Sequence, residues 1–186
     1  AARTDQRLLT GARYAIQNSN LSIDGRNVLA WWWNVQEGGS FARPYIDAAA
    51  FYEDTLTQVA GGQGRPYIWS SSTCYRYPSV AANVRGDLGL ILNYGLSGDG
   101  YNPRVAYGIA DDYTTAPPGW ALGAVRRSDA RPSDNRWGDY NTTRAFYPSG
   151  HVWQGAAHYI PNSTNCSSCS RALYVVFGRV RDKNSW

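Results

Sequence analysis

Apolar residues in this chain come in short bursts, cut by polar turns and by loops rich in Gly, Ser and Asn. Such bursts, bounded by turn residues, predict β-strands, because a packed helix needs a longer periodic segment. Three turns stand out: Ser22-Ile23-Asp24-Gly25, Arg85-Gly86-Asp87 and Pro148-Ser149-Gly150, at intervals of roughly sixty residues. Each is followed at once by an apolar, β-prone run, over residues 27–35, 88–94 and 151–159. A hairpin turn needs positive φ, which Gly reaches at little cost, so glycine at these places has a physical cause.

The register continues beyond the turns. A polar loop follows in each unit, around Gly38-Gly39-Ser40, Ser97-Gly98-Asp99-Gly100 and residues 162–170. A second strand comes next, over 44–52, 103–110 and 171–180, ending in acid at Glu53-Asp54, Asp111-Asp112 and Asp182. A further strand is expected in unit one, at 55–60 or 67–70, and in unit two at 120–126, while unit three runs out of chain. Residues 7–9 are an alternative outer strand. Strand, turn, strand, loop, strand, strand is the four-stranded antiparallel blade of a β-propeller. The expectation is therefore an all-β chain of about three blades, with approximate boundaries 11–72, 73–130 and 136–182.

Runs 28–33 and 88–92 are apolar on both faces, as strands sandwiched between neighbouring blades would be. Trp31-Trp32-Trp33 reads first as blade packing, since aromatic rings bury large areas; a carbohydrate-stacking platform is the other reading. Propellers close with about four to eight blades. Three alone would leave two apolar end faces, so the ring is expected to be completed by another polypeptide or by a second copy of the chain. The edge of unit three, lacking its last strand, invites the same pairing.

Composition narrows the classes. Eight Trp, 14 Tyr and 19 Gly favour short strands and tight turns over helical packing. The net charge of +4 comes from scattered arginines with no basic run, so nucleic acid is not an expected partner. No apolar stretch approaches the ~20 residues of a membrane helix. The Ala1-Ala2 start suits a processed chain, giving an expectation of a secreted, extracellular or cell-surface protein. Cys74, Cys166 and Cys169 allow one internal disulfide, either within the Cys166-Ser167-Ser168-Cys169 pair or to Cys74, and leave one thiol over.

The stretch Tyr77-Pro78-Ser79-Val80-Ala81-Ala82-Asn83-Val84-Arg85-Gly86-Asp87, continued by Leu88-Gly89-Leu90, resembles a recurrent blade of secreted bacterial propellers of the sialidase-like, BNR-repeat type. Arg136-Trp137-Gly138-Asp139-Tyr140 resembles the motif that opens the following blade there, and Asp5-Gln6-Arg7-Leu8-Leu9 matches the preceding one more weakly. The resemblance spans about residues 5–180 and implies a propeller fold. The family's aspartate box is intact nowhere; Ser22-Ile23-Asp24-Gly25 is a remnant at most. Nor can a sialidase set of three arginines, a tyrosine–glutamate pair and an acid–base aspartate be placed.

No catalytic constellation emerges. Only Glu37 and Glu53 supplement the aspartates, and Asp87 and Asp139 read as strand-start hydrogen-bonding groups. His151 and His158, an odd offset apart on one expected strand, would face opposite ways, which disfavours a metal pair. No zinc pattern, phosphate loop or dinucleotide fingerprint is present, and calcium at 97–101 or Asp111-Asp112 lacks a full loop pattern. Arg85-Gly86-Asp87 spells an adhesion tripeptide, though a hairpin turn yields the same string. The leading expectation is an extracellular, non-enzymatic module for assembly or binding. The alternative is a glycan-binding or glycan-hydrolysing protein using the channel, with Tyr77, Arg136, Trp137, Asp139 and Tyr140 as its ligand residues. There, arginine would hold an acidic sugar and the aromatics would stack on its ring.

Overall fold

The computed structural model describes residues 10–15, 27–96, 102–111, 113–114, 119–130, 132, 140–161 and 170–185. These residues form ten β-strands and two short 3₁₀ turns, at Gly61–Gly64 and Val180–Ser185, and include no α-helix. The strands are β1 (Thr10–Ala15), β2 (Asn27–Val35), β3 (Tyr45–Tyr52), β4 (Thr73–Ala82), β5 (Leu88–Leu96), β6 (Arg104–Ala110), β7 (Ala121–Arg127), β8 (Thr142–Ala145), β9 (Trp153–Tyr159) and β10 (Arg171–Phe177). They pair only with sequence neighbours, always antiparallel, in three meanders: β1-β2-β3, β4-β5-β6-β7 and β8-β9-β10.

Two of the turn glycines occupy equivalent places, between the first and second strands of their sheets. Gly86 (φ 86°) closes the β4–β5 hairpin and Gly150 (φ 68°) lies between β8 and β9. Gly25 lies outside the described residues, in the segment between β1 and β2. The apolar run expected over 151–159 begins as a strand only at Trp153, which leaves His151 in the turn and only His158 on β9. The fourth strand expected in unit one does not form. Residues 55–60 and 67–70 each reach the free edge of β3 through a single bridge, Phe51 with Gln58 and Ile46 with Ile68. The buried Pro66, which has no N–H, and the 3₁₀ turn between the two segments prevent a continuous ladder. Among the described residues, the first and third sheets therefore have three strands and only the second has four.

The sheets stack in series. Val28, Ala30 and Trp32 of β2, with Ile46, Ala48 and Ala50 of β3, pack on one face of the second sheet against Leu88, Leu90 and Leu92. Its opposite face, with Ile91, Val105 and Ile109, receives Trp153, Ala157 and Phe177 of the third sheet. β5 is thus covered on both sides, which explains why Leu88–Leu92 carries no polar alternation. Close approach depends on small residues there: a Cβ on Gly89 would stand 2.3 Å from the Trp153 ring. The first strands of adjacent sheets, β1 with β4 and β4 with β8, also lie against each other.

The two end faces differ. On the first sheet, Leu29, Trp31, Trp33 and Phe51 point away from the second sheet and are half-buried, and Asp47, opposite Trp33 and paired with Arg65, shares that face. The corresponding face of the third sheet carries Thr142, Arg144, Gln154, His158 and Tyr174 among alanines and Val176. An apolar face was expected at both ends; among the described residues the first sheet's outer face is mainly apolar and the third sheet's is mixed. No described helix is long and apolar enough to cross a membrane.

Candidate functional site

Two polar clusters sit where the sheets meet. The first lies at an irregularity in β4. Pro78 cannot donate to a ladder, so a strand carrying it in its interior must bulge, and the β4–β5 register shifts between Arg76 and Ser79. Tyr77 takes up the distortion with φ of 57°, a conformation that costs a bulky residue about 1–3 kcal/mol and persists only where its surroundings enforce it. Two asparagines enforce it, one from each neighbouring sheet. The Tyr77 N–H donates to Asn34 Oδ1 at 2.6 Å, and Asn141 Nδ2 donates to the Tyr77 carbonyl at 2.8 Å.

The bulge disturbs the partner strand as well. The Ile91 N–H, opposite Ser79, donates to Thr143 Oγ1 of β8 at 3.1 Å. Asn93, opposite Arg76, is 3% exposed, and among the described residues neither its Nδ2 nor its Oδ1 has a hydrogen-bond partner; nor does the buried Asn141 Oδ1. Buried amides are nearly always satisfied, and leaving one unpaired costs about 1–3 kcal/mol. The bulge is thus flanked by one amide donor and two acceptors.

The second cluster joins the β4–β5 hairpin to the segment after β10. Arg85 gives Nη1 and Nη2 to the two Asp182 oxygens, both at 2.9 Å, and Nε to Asp87 at 3.0 Å. Its Nη1 is also 3.2 Å from His151 Nδ1; because arginine can only donate, that ring nitrogen is the acceptor. Asn83 closes the turn, accepting from the N–H groups of Arg85 and Asp87 and donating to the His151 carbonyl. Beside it, Arg179 holds both oxygens of Asp111 at 2.7 and 2.8 Å, and Arg181 packs over the Tyr113 ring. Hydrogen bonding to Asp182 raises the Arg85 pKa further, and the same contact pulls Asp182 below the usual carboxylate range. Hydrogen bonding to Asp111 likewise raises Arg179.

These contacts bear on several sequence readings. The acids ending two of the repeat strands, Asp111 and Asp182, clamp adjacent sheets together. Arg85 and Asp87 of the adhesion tripeptide bind each other, so the string is a turn with its charges already engaged. Asp111 has both oxygens on Arg179, a poor start for calcium, and the described residues contain no group of three His, Cys, Asp or Glu that could hold a metal. Asp47 and Asp129, like the three acids above, each face an arginine. Cys74 is a free thiol among the described residues, and its candidate partners Cys166 and Cys169 lie outside them.

Of the five residues singled out as ligand-binding, Tyr77 sits at the bulge and Tyr140, 82% exposed, adjoins the Asn141 that grips it. Arg136, Trp137 and Asp139 lie outside the described residues, as do Cys166, Cys169, Asp112, residues 97–101 and residues 5–9. Sequence reasoning missed Asn34, Asn93 and Asn141. One signal was available: Asn93 is a lone polar residue inside an otherwise apolar strand. Comparison with protein families, with curated proteins and with solved structures finds no match.

Proposed function

We propose that this chain is an extracellular, non-enzymatic binding module in which the three sheets are successive blades of a β-propeller. The observation that carries the reading is the serial stack itself: three antiparallel meanders, consecutive in sequence, sharing interfaces through β1, β4 and β8. Such a stack buries its middle sheet on both sides and leaves Trp31, Trp33 and Phe51 on an outer face that another polypeptide would cover. Sizing of the native protein tests the assembly: a stable monomer of 20.6 kDa that recruits no partner counts against it.

A second reading places a polar ligand, glycan included, at the bulge. The strain at Tyr77 and the unpaired amides of Asn93 and Asn141 favour it. Tyr77→Ala, Asn93→Leu and Asn141→Ala, screened for glycan binding beside Arg136→Ala and Asp139→Ala, test this reading. Retention of binding in all of them removes it.

A further inference from the structure

The outermost segment of the first sheet carries a cluster that neither reading uses. From Arg65 to Trp69, side chains alternate: Pro66 and Ile68 are buried, whereas Arg65, Tyr67 and Trp69 face outward. The backbone is pinned by paired hydrogen bonds between Ile68 and Ile46, at 3.1 and 2.8 Å. Phe41 completes the group. A tight turn with Gly39 at φ 57° and two backbone bonds between Gly38 and Phe41 fix it in place. Its ring stacks on the buried Tyr45 at 4.2 Å and meets Tyr67 and Trp69 edge-on at 5.6 and 5.5 Å.

Arg65 is pre-positioned beside these rings. Its Nε and Nη2 bind the two Asp47 oxygens, each at 2.7 Å, and its guanidinium lies 6.0 and 5.8 Å from the Phe41 and Tyr67 centroids. Yet Tyr67 and Trp69 stay 42% and 40% exposed. Among the described residues, neither the Tyr67 hydroxyl, the Trp69 indole N–H nor Arg65 Nη1 has a hydrogen-bond partner. Exposed rigid rings flanked by unused donors match a ligand with an apolar C–H face and a rim of hydroxyls. Because Asp47 neutralises Arg65, an anion gains no net attraction here.

We infer that Phe41, Arg65, Tyr67 and Trp69 form a binding platform for a neutral oligosaccharide. The inference needs only the first sheet, but the platform adjoins the outer face assigned to a partner, because Asp47 lies opposite Trp33; the two uses of that face are separated by the test below. Aromatic surfaces can also dock a proline-rich peptide or a second copy, and those occupants are decided by the polyproline control and by the oligomeric state of Trp69→Ala.

Titration calorimetry with cellohexaose, xylohexaose, mannohexaose and chitohexaose tests the inference, with a heparin hexasaccharide and a polyproline peptide as controls. The expected result is binding of at least one neutral hexasaccharide, with Kd on the order of millimolar or below. Trp69→Ala and Tyr67→Ala should each weaken it by about tenfold or more, and salt should leave it unchanged. Tyr174→Ala, on the third sheet, should bind as the parent does. Asp47→Asn should bring in salt-sensitive binding of the heparin fragment. Unchanged Tm in Trp69→Ala and Tyr67→Ala separates lost recognition from lost folding. The inference is overturned if no neutral hexasaccharide binds, if both aromatic variants bind normally, if polyproline binds instead, or if Trp69→Ala dissociates an oligomer.

Discussion

Gly89→Ala is the most discriminating change, because the serial stack and local backbone chemistry predict opposite signs for it. Gly89 has no positive φ, so alanine is conformationally acceptable and would by itself stabilise the strand by about 0.4–1 kcal/mol. The stack forbids this. The new methyl carbon would lie 2.3 Å from Trp153 Cγ and 2.4 Å from both Cδ1 and Cδ2, so it strikes the body of the ring and not a flexible tip. Trp153 cannot swing away freely: it is 1% exposed, stacked on Phe177 at 5.7 Å, and its indole N–H donates to the Ala81 carbonyl at 3.0 Å. Overpacking costs about 1–3 kcal/mol, and a displaced indole adds about 1 kcal/mol for the lost hydrogen bond. After subtracting the backbone gain, a net loss of about 1–3 kcal/mol remains, or roughly 3–10 °C in Tm for a chain of this size. Urea denaturation of Gly89→Ala, Trp153→Leu and the double variant measures it. In the Trp153→Leu background the alanine should cost far less than alone, a coupling of about 1–2 kcal/mol. A stabilised Gly89→Ala, or strict additivity in the cycle, would refute the packing of the third sheet on the second.

Other outcomes follow from the two polar clusters. At position 77 the usual strand preference should invert: Tyr77→Gly should be more stable than Tyr77→Ala by about 1 kcal/mol in chemical denaturation, since only glycine relieves the positive φ. Arg179→Ala removes both close hydrogen bonds of the buried Asp111 and should cost about 2–3 kcal/mol, less than the 3–5 of a fully buried pair because Arg179 is partly exposed and Arg181, at 3.9 Å, remains. Asp182 has its folded pKa depressed, so the unfolded chain binds the proton more readily. Its contribution is full above about pH 4, the unfolded value, and disappears as pH falls through the folded one. Asp182→Asn should therefore flatten the acid limb of a stability–pH curve while lowering stability at pH 7. Asn93→Leu removes two buried amide atoms without partners and should leave stability unchanged or raised; a loss above about 2 kcal/mol would mean the amide is satisfied after all.

Much of the strand order was legible in the residues. Gly86 and Gly150 mark turns because positive φ is a local demand, written in one residue and its neighbours. The unbroken apolar run at Leu88–Leu92 announced a strand covered on both faces, since polar alternation appears only where one face meets water. The fourth strand expected in unit one, at 55–60 or 67–70, was not so written, because Pro66 and the 3₁₀ turn leave each segment a single bridge to β3. What the sequence left open is everything set by contacts distant along the chain. Trp31, Trp32 and Trp33 are identical in kind, yet only stacking of the second sheet on the first sends Trp32 inward and its neighbours out. Nothing local announces that Asp182 meets Arg85, or that asparagines 34 and 141 grip Tyr77 from opposite sides. Strand identity is set by pleat and turn, short-range properties. Burial, pairing of charges and strain depend on which sheet faces which, and that is decided only when all three are assembled.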